Sequence, residues 1–171
     1  KSYVTDSAIA ITYDSKDSLH IHSDTMWMFF DEDRQAKYMQ AYYNVRFYRN
    51  NLQGKCDSLS YSMSDSTIRL YYNPVMWSGK NQLTADSIAI ILSGNKIDSL
   101  MMYNTAFIVS RDSTKSYNQI RGKNMVAYFD RNTLSRIDVN GNAQTVYYVR
   151  EEDGNLIGVD LAEASRMKIK I

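Results

Sequence analysis

His20-Ile21-His22 is the only histidine pair in the chain. Residues two apart on a strand share a face, so both imidazoles would meet one metal there, with Asp24 on the same side. No third ligand is fixed by the sequence, and zinc normally takes three or four protein ligands. A surface pair is the simpler reading. Asp31-Glu32-Asp33 offers carboxylates to Ca²⁺ but lacks the spaced oxygen ligands of a loop site. It reads as a solvated turn, as does Glu151-Glu152-Asp153-Gly154. Cys56 is the single cysteine. It has no histidine partner, and it sits in a repeat position held elsewhere by Ser23, Ala85 and Lys123, which suits a small strand residue better than a nucleophile. No nucleophile elbow, His-Glu-x-x-His or phosphate loop occurs. Two carboxylates placed for glycoside hydrolysis would have to be brought together by the fold. Lys55, Lys80, Arg121 and Lys123, near turns, could reach phosphates through charge-assisted hydrogen bonds, or be solvated turn charges. The expectation is no metal, no cofactor and no enzyme.

The elements that would carry these residues are strands. The chain has 171 residues, 44% hydrophobic and 23% charged, with a formal net charge of +1. That composition suits a folded domain, and it supplies no basic field or cluster for nucleic acid. Pro74 is the single proline and there are 14 tyrosines, which favours pleated, half-buried surfaces and few rigid loops. No stretch approaches the roughly 20 apolar residues of a membrane-spanning helix. The chain begins without methionine and ends inside the alternating run Arg166 to Ile171. It is expected to be a single domain, residues 1–171, excised from or part of a longer protein.

Two interleaved motifs recur. The first is a small residue, then Asp, Ser or Thr, an aliphatic, any residue and a large apolar one. It reads Ser23-Asp24-Thr25-Met26-Trp27-Met28, Cys56-Asp57-Ser58-Leu59-Ser60-Tyr61 and Ala85-Asp86-Ser87-Ile88-Ala89-Ile90. Looser copies are Gly122-Lys123-Asn124-Met125-Val126-Ala127-Tyr128 and Gly158-Val159-Asp160-Leu161-Ala162. Its anchors 24, 57, 86, 124 and 160 lie 33, 29, 38 and 36 residues apart. The second motif is Asn followed closely by a β-rich run, at Asn44, Asn73, Asn104 and Asn142, with spacings of 29, 31 and 38. Matching periods in two independent motifs signal a repeat architecture. Each period has room for three or four short strands. Alternation at Ile68-Arg69-Leu70, Val45-Arg46-Phe47 and Ile137-Asp138-Val139 supports strands. Turn signals fall at Asn50-Asn51, Ser78 to Asn81, Ser93-Gly94-Asn95, Asn140-Gly141-Asn142 and Glu152 to Asn155. Asn140-Gly141 suits a tight primed hairpin. The one plausible helix, Asp31 to Tyr43, is expected to be strand in its second half. The fold class expected is all-β: successive hairpin layers stacked along an axis, giving two facing sheets.

Leu52-Gln53-Gly54-Lys55-Cys56-Asp57-Ser58-Leu59-Ser60-Tyr61 and Ile120-Arg121-Gly122-Lys123-Asn124-Met125-Val126-Ala127-Tyr128 carry a resemblance to the OstA/LptA-like family of lipopolysaccharide-transport proteins. It covers Ala8 to Ala164, and the Ser/Asp/Tyr-rich flavour is similar to OstA-like proteins of Bacteroidetes type. Ile21 and Leu83 stand where the pattern has glycine. The resemblance implies a taco-like antiparallel β-jellyroll with open ends. It implies acyl chains of lipid A held between the sheets, a periplasmic location on the outer-membrane transport pathway, and Lpt-type modules joined end to end.

Lipid carriage requires an apolar groove that the protein does not fill itself. Candidates for its lining are Met26, Met28, Leu59, Tyr61, Trp77, Ile88, Ile90, Ile108, Val126 and Tyr128. The nine methionines are flexible enough to adapt to acyl chains. The same residues could instead pack a closed core. The last run places Arg166, Lys168 and Lys170 opposite Met167, Ile169 and Ile171, as either a protected edge or a strand that continues into a next module. The competing functional reading is a β-jellyroll for carbohydrate or protein interaction with no lipid groove, with Tyr42, Tyr43, Tyr71 and Tyr72 as candidates for an aromatic platform.

Overall fold

The computed structural model describes residues 1–14, 17–50, 52–94, 96–112, 116–131 and 133–171, with the side chains of residues 13, 14 and 17 left out. The expected turn residues Asn51 and Asn95 lie outside the described residues. The elements are β1 Ser2–Asp14, β2 Asp17–Phe30, β3 Ala36–Arg49, β4 Leu52–Ser62, β5 Thr67–Tyr71, β6 Val75–Ser78 and β7 Asn81–Thr84. They continue as β8 Ser87–Ser93, β9 Lys96–Tyr103, β10 Ala106–Arg111, β11 Tyr117–Gly122, β12 Asn124–Asp130, β13 Thr133–Arg150 and β14 Leu156–Lys170. All are strands, and the fold is an antiparallel β-jellyroll. The segment considered for a helix is a turn at Glu32-Asp33 followed by β3.

One hydrogen-bonded sheet is doubled over along a line of corners. The long strands β1 to β4, β13 and β14 cross that line and belong to both halves. The shorter strands alternate: β5, β8, β9 and β12 fill sheet one, while β6, β7, β10 and β11 fill sheet two. Hairpin turns then lie along the two edges away from the corner, and β1 and β14 close neither end.

The backbone at the corners explains the second motif. Pairs of residues take left-handed φ at Asp6-Ser7 (60° and 71°), Tyr43-Asn44 (63° and 54°), Tyr72-Asn73 (62° and 52°), Asn104-Thr105 (52° and 43°) and Gly141-Asn142 (86° and 51°). In β1, β3 and β13 these residues are one more than the neighbouring strand supplies, so the register slips there. Such a bulge bends the strand, and Asn is among the few residues that adopt this conformation readily. Asn140-Gly141-Asn142 is therefore a corner inside β13 and not a hairpin turn. Its positive φ is what the sequence signalled, but the chain continues straight into Ala143.

The first motif is the other half of the same device. Asp24 faces the corner of β3, where the Asn44 side-chain amide donates to its carboxylate at 2.8 Å. Asp86 accepts from the Thr105 hydroxyl, and its carbonyl accepts from Asn73 N at 3.3 Å. The residue just before each acid faces inward at the apex, where the two sheets converge and only small side chains fit. Ala8, Ser23, Cys56, Ala85, Ala106 and Gly122 hold that row, all buried. In the fifth copy the corner partner is Ser165, since Asn140 pairs with Arg166 and Ala143 with Ala164. Asp160 lies well inside sheet two.

Deeper rungs are large and apolar. Met26, Ala41, Leu59, Leu70, Ile88, Met102, Met125, Val139 and Met167 run in register across sheet one. Next to them run Met28, Met39, Tyr61, Ile68, Ile90, Leu100, Ala127, Ile137 and Ile169. Sheet two opposes them with Ile21, Phe47, Met76, Leu83, Ile108 and Ile120. The phenyl ring of Phe47 lies over its cross-strand partner Gly54, whose added Cβ would sit 2.2 Å from Phe47 Cζ. Fully burying each large side chain contributes about 1.5–3 kcal/mol, so these rungs are the main stabilising element.

Candidate ligand-binding interior

Seven of the ten residues expected to line a groove face the interior: Met26, Met28, Leu59, Tyr61, Ile88, Ile90 and Ile108. Leu59, Ile88, Ile90 and Ile108 are at most 2% exposed. The other three do not face it. Trp77 follows the inward Met76 and lies on the outer face of sheet two, 38% exposed. Val126 and Tyr128 flank the buried Ala127 and lie on the outer face of sheet one, where the Arg136 guanidinium sits 3.9 Å from the Tyr128 ring centre.

The two inner rungs are apolar apart from Ser2 in β1, opposite Met28, and Thr145 in β13, opposite Ile120, but the mouth is not uniform. Toward the N-terminal half, Leu19 and Leu52 of sheet two line the mouth with Leu92 and Ile97 of sheet one, and Arg49, in register with Leu52, is the one charged residue among them. From Ser78 onward the mouth rung of sheet two turns polar, running Ser78, Asn81, Ser110 and Asn118 in register. The apolar half encloses a cavity of about 20 Å³ lined by Leu19, Ile21, Phe47, Arg49, Leu52, Leu59, Ile68, Ile90, Leu92 and Ile97. That is room for about one water, for which roughly 10–15 Å³ suffices, while the lining residues Ile21, Leu59 and Ile90 are at most 2% exposed, so the sheets are in close contact here. Methionine is concentrated on the inner surface, with Met26, Met28, Met39, Met102, Met125 and Met167 in sheet one and Met76 in sheet two.

Two larger hollows lie outside. One of about 730 Å³ covers the corner near the C-terminal end, lined by Arg121, Lys123, Asn142, Gln144, Glu163 and Ser165 among others. The other, about 410 Å³, opens on the outer face of sheet two around Trp77. Neither brings two carboxylates together. His20 and His22 share the outer face of sheet two, with His20 Nε2 2.8 Å from the Ser18 hydroxyl. Asp24 lies at the corner, engaged by Asn44. No three His, Cys, Asp or Glu side chains converge for a metal among the described residues. Tyr42 and Tyr71 share an outer rung of sheet one with Tyr103, separated by Ser58 and Ser87, while Tyr43 and Tyr72 are at corners.

Burial pushes the Cys56 thiol up from 9.0 to about 12, and its Sγ–H points at the Ser58 carbonyl, 3.2 Å away. The folded thiol stays protonated through the pH range in which an unfolded one ionises. Thiol ionisation therefore leaves stability untouched below about pH 9 and lowers it as pH rises further. A thiol-reactive disulfide reagent at pH 8 is expected to leave the native protein unlabelled and to modify one cysteine in denaturant. Rapid labelling of native protein would contradict the buried placement.

Residues 14–96, just under half of the chain, match the family described as LptA/(LptD N-terminal domain) LPS transport protein. Over these residues the chain is similar to the LptA/LptD N-terminal family. No curated protein matches the chain. The LptA/LptD match spans β2 to β8 and the corners at Tyr43-Asn44 and Tyr72-Asn73. The same corner device recurs beyond it at Asn104-Thr105 and Gly141-Asn142, so the architecture continues through the remaining strands. The matched family is described as one of lipopolysaccharide transport.

Sequence reasoning placed a small residue before each anchor but did not show that these residues form one inward row at the apex. It also missed the outer hollow at Trp77 and a latch between turns. In that latch Arg150 Nε donates to Asp112 Oδ2 at 2.8 Å, Nη2 to Ser116 Oγ at 3.0 Å and Nη1 to the Gly154 carbonyl at 3.1 Å.

Proposed function

We propose that this protein is a periplasmic lipopolysaccharide-carrying module that shields acyl chains between its two sheets, entering at the apolar half of the mouth. The observation that carries this reading is the placement of seven of the nine methionines on the inner surface of an LptA/LptD-type jellyroll. Methionine repacks at little cost, so a packed interior can open around a flexible chain. Leu19, Leu52, Leu92 and Ile97 mark the entry, since the mouth beyond Ser78 is polar.

The ends support assembly with like modules. Among the described residues β1 pairs with β2 and β14 with β13, each leaving one edge unpaired, and neither strand carries proline. Ile9 and Ile11 on β1 and Val159 and Leu161 on β14 are exposed on the same outer face of sheet two. Joining a β14 edge to the β1 edge of a next module would continue both sheets and cover these side chains.

The test is site-specific photocrosslinking to radiolabelled lipopolysaccharide. A benzophenone amino acid at Leu92 or Ile97 is expected to capture lipopolysaccharide, while one at Val126, on the outside of sheet one, is not. Equal capture at all three positions, or none at the mouth, would count against the interior as the carrier.

A further inference from the structure

The hollow on the outer face of sheet two is built from two aromatic rings, two cations and an amide. Trp77 and Gln82 are directly opposite each other across the β6–β7 hairpin, and the indole Nε1–H donates to Gln82 Oε1 at 3.0 Å. That bond holds the indole edge against the Gln82 carbonyl and sets the Gln82 amide beside the ring. Val109, in register with Gln82, forms the floor. Arg111 and Tyr117 face each other across β10 and β11. Arg111 N donates to the Lys80 carbonyl at 3.2 Å, which draws the β6–β7 turn against β10 and sets both cations beside the hollow. Trp77 and Tyr117 are 38% and 49% exposed.

We infer that this hollow binds a phosphorylated saccharide. The volume of about 410 Å³ lies in the range of small-molecule sites, roughly 300–1,000 Å³. No carboxylate lines it, although the chain as a whole is nearly neutral. Arg111 and Lys80 supply charge-assisted hydrogen bonds to a phosphate. Trp77 presents a flat apolar face of the kind on which the C–H side of a sugar ring rests, and the Gln82 amide reaches ring hydroxyls. A membrane surface is a poorer fit, because the lining forms a hollow of small-molecule size. The site is on the opposite side of sheet two from the apolar interior, so it does not depend on acyl chains being carried there.

The experiment uses the full chain with Trp27→Phe, which leaves Trp77 as the only indole. N-acetylglucosamine 1-phosphate, N-acetylglucosamine, inorganic phosphate and anionic phospholipid vesicles are titrated separately and Trp77 fluorescence is read. Saturable binding of the sugar phosphate is expected, at least about tenfold tighter than either fragment. Arg111→Gln or Lys80→Gln should weaken it about tenfold, the scale of one charge-assisted hydrogen bond, with an unchanged circular dichroism spectrum. Competition by intact lipopolysaccharide would assign the saccharide to a lipid headgroup. Failure to compete would assign it to a free sugar phosphate. The inference is overturned by no saturable response at millimolar sugar phosphate, by equal affinity for inorganic phosphate, by a response to vesicles alone, or by unchanged affinity in both charge variants.

Discussion

Gly122→Val is expected to destabilise the protein by about 3 kcal/mol or more, lowering Tm by roughly 6–12 °C for a chain of this size. Gly122 sits in the apex row, and an ideal Cβ there would lie 2.3 Å from Val139 Cγ1 and 3.4 Å from the Gly141 carbonyl. Neither neighbour yields cheaply. Val139 is 2% exposed and β-branched, so its χ1 is stiff, and Gly141 is part of the corner itself. Gly122→Ala should cost about 1–3 kcal/mol and be partly rescued by Val139→Ala, which removes the clashing methyl. A double-mutant cycle by urea unfolding measures the coupling. Additive costs, or a loss below about 0.5 kcal/mol for Gly122→Val, would mean that the apex is not closed as described.

Arg150→Ala is expected to cost about 3–5 kcal/mol, the range for removing one partner of a buried ion pair. The side chains of Arg150 and Asp112 are 16% and 9% exposed. Arg150 also satisfies Ser116 and the Gly154 carbonyl, so its loss unties two turns of sheet two at once. Limited proteolysis should then cut within residues 112–116 or 151–155 before the rest of the chain. Replacing the pair by an apolar couple, Arg150→Met with Asp112→Leu, should cost much less than either single change, because no charge is stranded. A cost below 1 kcal/mol for Arg150→Ala would place this pair with exposed bridges such as Arg69–Asp65, whose side chains are 40% and 50% exposed and whose contribution is small.

The strands, the turns and the repeat were legible because each rests on a local rule. Alternation at Val45-Arg46-Phe47 fixed the faces of β3, and Ser78 to Asn81 and Glu152 to Asn155 fixed two turns. What failed was register. Leu59 and Tyr61 follow Asp57 by two and four residues, as Ile88 and Ile90 follow Asp86. Counting likewise from Asn124 gives Val126 and Tyr128, but the residue at the acid's structural position is Lys123, from which the same count gives Met125 and Ala127. A slip of one residue turns every side chain to the opposite face. Trp77 failed for a related reason. Asn73 is the second residue of its corner, so Pro74 and Met76 point inward and Trp77 outward. Asn140-Gly141-Asn142 was ambiguous in principle, because a primed hairpin and a corner bulge both require positive φ at Gly141. Only the pairing of both ends of β13 with β14 distinguishes them.

The corners also set a dimension. Each lap of the chain brings its own pivot, so laps can be added along the axis without redesigning those already present. The depth of the trough is fixed instead by how many residues separate pivot from rim. In β6 and β7 that is four residues each, about 13 Å at ~3.3 Å per residue. A straight hydrocarbon tail longer than this has no room to stand upright there. It would have to lie lengthwise, spanning successive laps, so the number of laps, and not the width of any one, would decide how long a tail the trough conceals.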